Sequence, residues 1–165
     1  ECDAIIHVLR CFDDPNITHV DGSVDPVRDK EIIDAELQIK DLDTVENRIK
    51  RVEKQARMGG DKMSKVELDV LLRYKEALEK GLSARTVTFD TEDEELAARN
   101  LFLLTTKPVL YVCNVDDASA ATGNHFTEAV AAAIEGEDAE MLIISAQTEA
   151  DIAELETYEE NQMFL

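Results

Sequence analysis

The sequence predicts an α/β fold: a partial doubly wound parallel sheet interrupted by an inserted antiparallel helical hairpin of coiled-coil type. Three observations carry this. Short apolar runs at Ala4–Leu9, Val109–Cys113 and Met141–Ile144 have the length and branched-residue content of buried parallel strands. Helical patterns alternate with the later two. A long, regularly spaced helical stretch with a returning partner lies between the first strand and the rest.

After the first strand, residues 10–25 hold two turn-like clusters, Asp13-Asp14-Pro15-Asn16 and Asp21-Gly22-Ser23, and read as a loop. Asp25-Pro26 then supplies a helix cap followed by proline at the first helical position. Apolar residues recur at Ile32, Ala35, Ile39, Leu42, Val45, Ile49, Val52 and Ala56, a seam of alternating three- and four-residue steps with one skip near Leu42. Gly59-Gly60-Asp61 breaks the pattern, since two glycines inside a helix cost about 2 kcal/mol. A second helix, with Val66, Val70, Leu71, Tyr74 and Leu78 on one side, runs to about Lys80 and stops at Gly81. So short a break folds the second helix back on the first.

An extended stretch at Thr86–Phe89 leads to a helix capped by Asp90 or Thr91 and running to about Leu104. Phe126–Ile134 and Ile152–Tyr158 are the remaining helices. The organisation expected is a first strand and loop in residues 1–25, the hairpin in 26–82, and the rest of the sheet domain in 83–165. The chain does not begin with Met and opens directly into a strand pattern, as expected of an internal segment.

Composition excludes several classes. The formal charge is −20, with 37 acids against 17 bases, which argues against nonspecific adhesion to nucleic acid or anionic membrane. No apolar run approaches the roughly 20 residues that span a bilayer. Cys2, Cys11 and Cys113 lack framework spacing, so reduced thiols and a cytoplasmic location are expected. Strand alternation points Cys2 away from His7 and Cys11, so no metal site is expected there. Charge is also segregated. Arg48, Lys50, Arg51, Lys54, Arg57, Lys62 and Lys65 face only Glu53 and Asp61 within the hairpin tip, whereas no Lys or Arg follows Lys107. A basic patch opposed in sign to its own chain suits contact with RNA or the ribosome, although many basic helix faces are merely solvated.

The second strand delivers Asn114 at its carboxyl end, where α/β sheets bind ligands, followed by Val115-Asp116-Asp117. Translational GTPases carry Asn-Lys-x-Asp at such a place. One strand later, Ser145-Ala146 is similar to the Ser-Ala element that supports the base from the far side. The phosphate half of such a site is missing, because no glycine lies in a G-x-x-x-x-G-K-[ST] pattern. Without that cradle the chain alone is not expected to hydrolyse a nucleotide.

Longer stretches resemble one family. Asp3–Phe12, Asn16–Val20 with Gly22 and Val24–Asp29, Lys107–Asn114, and Ser145–Leu155 look like segments of the Obg-like ATPases of YchF type, P-loop proteins interrupted by a helical hairpin. The resemblance implies a P-loop and switches before Glu1 and a TGS domain after Leu165. It implies magnesium-dependent hydrolysis, usually of ATP in preference to GTP, and ribosome association. In the family, adenine tolerance goes with Asn-x-x-Glu; here the last position is Asp117, so the expectation is ATP preferred with GTP binding retained. The base-binding set is then Asn114, Val115, Asp117, Ser145 and Ala146. By the same resemblance His19 corresponds to a histidine assigned to catalysis, and a histidine titrating near neutral pH suits orienting water. The alternatives are an RNA-, ribosome- or protein-interaction module without catalysis, and a plain coiled-coil adaptor.

Overall fold

The computed structural model describes residues 3–13 and 23–145. In chain order the elements are β1 (Ile5–Arg10), α1 (Pro26–Arg57), α2 (Lys62–Glu79), a 3-10 turn at Ala84–Thr86, α3 (Glu92–Arg99), β2 (Val109–Asn114), a second 3-10 turn at Asp117–Ser119, α4 (His125–Ala133) and β3 (Glu140–Ile144). Their residues form two compact units, one comprising residues 3–5 and 31–108, the other residues 6–13, 23–30 and 109–145.

In the sheet unit the strand order is β1-β2-β3. Ile5 N–H donates to the Pro108 carbonyl at 2.9 Å and Cys11 N–H to Asn114 at 2.7 Å, the same offset at both ends of β1, which makes the pair parallel. β2 and β3 are parallel with Asn114 opposite Ile144. One face carries Leu9, Cys11, Tyr111 and Cys113, buried with Val130 and Ile134 from α4 and its end. The other face departs from the expectation of strands buried on both sides. Ile6, Val8 and Leu142 are 66%, 61% and 51% exposed. Branched apolar strands suit either a one-sided or a two-sided burial, and α4 covers only the odd-numbered face.

The helical unit holds the hairpin. Asp25 caps α1, its carboxylate accepting the Arg28 N–H at 3.1 Å. Arg48 pairs with Glu67 at 2.6 Å, and Gln38, earlier in α1, reaches Ser83 beyond α2 at 3.3 Å. A later α1 residue meeting an earlier partner defines antiparallel helices. The turn between them requires its glycines. Gly59 sits at φ +78°, and a Cβ on Gly60 would lie 2.0 Å from the Gln55 carbonyl oxygen, the same oxygen that accepts the Gly60 N–H. Asp61 then caps α2 through the Ser64 N–H.

Val45 and Val52 bury against Val70, Leu71, Tyr74 and Leu78, joined by Ala84, Ala97, Leu101 and Leu103. Residues 83–108 therefore share the hairpin's core. The seam expected along the whole of α1 is buried only in its second half, since Ile32 and Ile39 are 46% and 66% exposed. In place of a continuous apolar stripe, Asp41 is buried, four residues before Val45. The helix expected to reach Leu104 ends at Arg99. Its continuation is held otherwise: Asp41 accepts the N–H groups of Leu104 and Thr105, both at 2.7 Å, and the Thr105 hydroxyl at 2.6 Å.

Candidate functional site

The carboxyl ends of β2 and β3 bring the expected base-recognition residues together. Asn114 closes β2, and the Val115 N–H donates to the Ile144 carbonyl at 2.8 Å, so the chain continues sheet-like for one residue beyond the strand. Asp116 then starts the 3-10 turn, which lifts the Asp117 side chain into solvent. Ser145, buried directly after β3, donates its hydroxyl to Asp117 Oδ1. A buried hydroxyl on one strand end thus orients an exposed carboxylate on the next. Val115 is 3% exposed and packs into the sheet core, so its side chain takes no part in the open edge.

The segment after the turn is fixed from below. Asn124 caps α4 by accepting the Phe126 and Thr127 N–H groups, while Thr127 Oγ1 accepts the Asn124 N–H in return. The Asn124 amide also donates to the Cys11 carbonyl at 2.8 Å, tying this cap to the end of β1. A Cβ on Gly123 would lie 2.5 Å from Thr127 Oγ1, so the chain enters α4 too closely for any side chain. Neither Asn124 nor the tight approach at Gly123 belongs to a motif named from the sequence. The spacing Asn124-x-x-Thr127 before an alanine-rich run was the available signal.

Beneath the site, Cys11 and Cys113 are buried free thiols on adjacent strands. Their mutual hydrogen bond, with burial, pushes the Cys11 thiol well above its ordinary value. Lys30 is buried too, pairing with Glu137 at 2.8 Å, whose other carboxylate oxygen accepts the Tyr111 hydroxyl at 2.9 Å. The Lys30 ammonium lies 5.4 Å from the centre of the Tyr111 ring.

His19 and Ala146, with the expected Ile152–Tyr158 helix, lie outside the described residues. Among those described, no group of three or more His, Cys, Asp or Glu side chains is arranged to hold a metal ion. No described helix is long and apolar enough to cross a membrane.

At the hairpin tip all seven predicted basic residues are exposed. Arg48 pairs with Glu67, Arg57 with Glu53 at 2.5 Å, and Lys62 lies 3.9 Å from Asp93. Lys50, Arg51, Lys54 and Lys65 make no ion pair among the described residues. Met58, between the two groups of bases, is 86% exposed.

A parallel sheet presenting Asn114 and Asp117 at one edge, with a long helical hairpin inserted in the chain, is part of an α/β domain of the P-loop NTPase type. No family model matches the chain. Individual proteins do. It is 46% identical over 167 residues to the ribosome-binding ATPase YchF of Bacillus subtilis, covering 100% of this chain and 45% of that protein. It is 41% identical to the protein of that name in Escherichia coli O157:H7, over 98% of this chain and 44% of that one. The Obg-like ATPase 1 of Caenorhabditis elegans is 42% identical over 70% of this chain and 29% of its own length. The solved structure of the Schizosaccharomyces pombe YchF GTPase superposes with a TM-score of 0.78 at 30% identity, covering 98% of this chain and 45% of that one. The chain belongs to the YchF and Obg-like ATPase family, and it spans somewhat less than half the length of the relatives it matches.

Proposed function

We propose that a protein carrying this chain binds a purine nucleotide and hydrolyses ATP, accepting GTP as well, with the β2 and β3 ends reading the base. The observation that carries this reading is the Ser145 hydroxyl on Asp117. It orients a carboxylate toward solvent at the sheet edge where α/β folds bind ligands. Asn114 offers an amide that suits the N6/N7 edge of adenine, and a carboxylate at residue 117 suits the N–H groups of guanine. Relatives bearing the words ATPase and GTPase support both halves of this statement. Magnesium would neutralise phosphate charge during hydrolysis. Among the described residues no cluster of His, Cys, Asp or Glu would hold it. His19 is proposed to orient the attacking water.

The basic tip supports a second role in the same protein: contact with ribosomal RNA. Relatives named ribosome-binding favour it, as does the absence, among the described residues, of ion-pair partners for Lys50, Arg51, Lys54 and Lys65. Such work places the protein in the cytoplasm.

Calorimetric titration of ATP and of GTP, with magnesium, into this chain and into an N-terminally extended form tests the first role. Heat from the extended form alone is expected, larger for ATP. Silence from both forms would leave only the interaction role standing. For the second role, changing Lys50, Lys54 and Lys65 together to Gln is expected to weaken binding to ribosomal RNA and flatten its salt dependence.

A further inference from the structure

We infer that the turn following α3 is a stacking site for single-stranded RNA, with Phe102 as its platform. Phe102 occupies φ +52°, the left-handed region that a bulky residue enters only under constraint. Its ring is nevertheless 60% exposed, so the strain is not repaid by burying the side chain. The surrounding structure imposes this geometry. Leu101 and Leu103 on either side are buried, the Phe102 N–H closes a turn onto the Arg99 carbonyl at 3.3 Å, and Asp41 grips Leu104 and Thr105 just beyond. The aromatic is therefore presented rigidly, at little further entropic cost when a ligand binds.

Its neighbours supply the complementary charge. Phe102, Arg99 and Lys107 line a cleft of about 190 Å³ together with Tyr74. The adjoining residues Asn100 and Leu101 line a second cleft, of about 330 Å³, with Asn47, Arg48 and Arg51 of α1. Arg99 and Lys107 thus share the cleft with the ring, and Arg51 lines the neighbouring one, where Arg48 is already paired with Glu67. From Leu96 to Pro108 the chain has two bases and no acid, within a protein of net charge −20. An exposed ring in a cleft that also holds cations is the arrangement on which unpaired bases stack while phosphates meet the basic side chains alongside. A duplex, whose bases are already stacked on one another, has no face to offer Phe102. The inference rests on the reading of the hairpin as an RNA-contacting arm, but it adds a second locus, outside the tip lysines.

Fluorescence anisotropy with a labelled oligouridylate of about a dozen nucleotides, and with an RNA duplex of the same length, tests it on the whole chain. Phe102→Ala is expected to weaken the single strand about tenfold and leave the duplex unchanged. Phe102→Tyr, which keeps the ring, should retain affinity. Phe102→Gly relieves the backbone strain, so it should unfold at a temperature no lower than the parent while losing single-strand binding. Unchanged oligouridylate binding by Phe102→Ala overturns the inference, as does Phe102→Gly melting lower with affinity intact, the sign of a purely structural role. Loss of binding in the Lys50, Lys54, Lys65 variant with Phe102→Ala unaffected would sink the stacking site and leave the arm reading standing. The reverse pattern would do the opposite, and no binding by the parent would remove both.

Discussion

Asp41 and Thr105 are joined by two hydrogen bonds, the carboxylate Oδ2 accepting both the Thr105 N–H at 2.7 Å and its hydroxyl at 2.6 Å. Both residues are 2% exposed, and the other carboxylate oxygen takes the Leu104 N–H. A buried carboxylate is tolerated when its lone pairs are met by donors, and three donors meet this one. Asp41→Ala leaves those donors buried and unsatisfied. The expected loss is about 3 kcal/mol, against about 2 kcal/mol for Thr105→Val, which removes one donor to Asp41 and strands the buried Ala84 N–H that the hydroxyl accepts at 2.8 Å. Urea unfolding measures both. An Asp41→Ala midpoint equal to the parent's would show that the segment after α3 is held by its leucines instead.

Tyr74 lies in the same core and gives the helical unit an alkaline limit. Burial, reinforced by the nearby Asp41 charge, pushes its phenol up to about 12. In the unfolded chain the group titrates near 10.0, the ordinary value for a tyrosine. A raised pKa on a group that is neutral when protonated favours the folded state fully below pH 10. That contribution is lost as pH rises from 10 towards 12. The melting temperature should therefore fall across this window more steeply for the parent than for Tyr74→Phe. Parallel profiles would mean that the phenol reaches water in the folded protein.

How far these features were legible in the sequence depends on what signals each. The strands, both hairpin helices, the Asp25 cap and the stop at Gly81 were readable, because apolar spacing and these residues act locally, whereas Asp61 was legible only as part of the break and its capping of α2 was not. Asn114, Asp117 and Ser145 were readable from motif and strand order, and the structure brings Asp117 and Ser145 into contact. Asp41 was not, although the skip in the seam near Leu42 marked its neighbourhood. A buried carboxylate declares itself only through donors more than sixty residues away. For the same reason α3 ends five residues short of the expected Leu104: Asn100 to Leu104 continues a helical apolar pattern, and a tertiary contact overrides it. Exposure of Ile6, Val8, Ile32 and Ile39 was equally unreadable, since periodicity reports an apolar face and says nothing of what covers it.

The α1–α2 turn discriminates between its two glycines. Gly60→Ala would drive a Cβ to 2.0 Å from a backbone oxygen that cannot swing aside, so the turn must open. Gly59→Ala meets no atom within 4 Å and suffers only from its φ of +78°, a cost of about 1 kcal/mol. Thermal unfolding should rank Gly60→Ala well below Gly59→Ala, with Gly59→Asn the mildest, because Asn tolerates the left-handed region. Equal losses at 59 and 60 would indicate that the turn relaxes as a unit.

Lys30 and Glu137 make a prediction about sign. With the lysine side chain 7% exposed and that of Glu137 31% exposed, Lys30→Met strips a half-buried carboxylate of its cation and should cost about 1 kcal/mol. Pairing it with Glu137→Leu removes the stranded charge, so the double variant should be more stable than Lys30→Met alone. Additive losses in this cycle would show that each residue acts through other neighbours, not through their pairing.

Ser145 gives the most direct test of the proposed base site. Its hydroxyl touches the Asp117 carboxylate and contributes no donor to phosphate in this reading. A hydrogen bond to a charged acceptor is worth about 2 kcal/mol, so Ser145→Ala should weaken ATP and GTP binding by the N-terminally extended form roughly tenfold or more. Inorganic triphosphate, which has no base, should bind the parent and Ser145→Ala alike. The effect should also be larger for GTP than for ATP, because a carboxylate accepts from guanine N–H groups while Asn114 retains its hold on adenine. Equal weakening of all three ligands would place Ser145 in the general stability of the sheet edge. No change in any of them would separate the Ser145–Asp117 contact from nucleotide recognition.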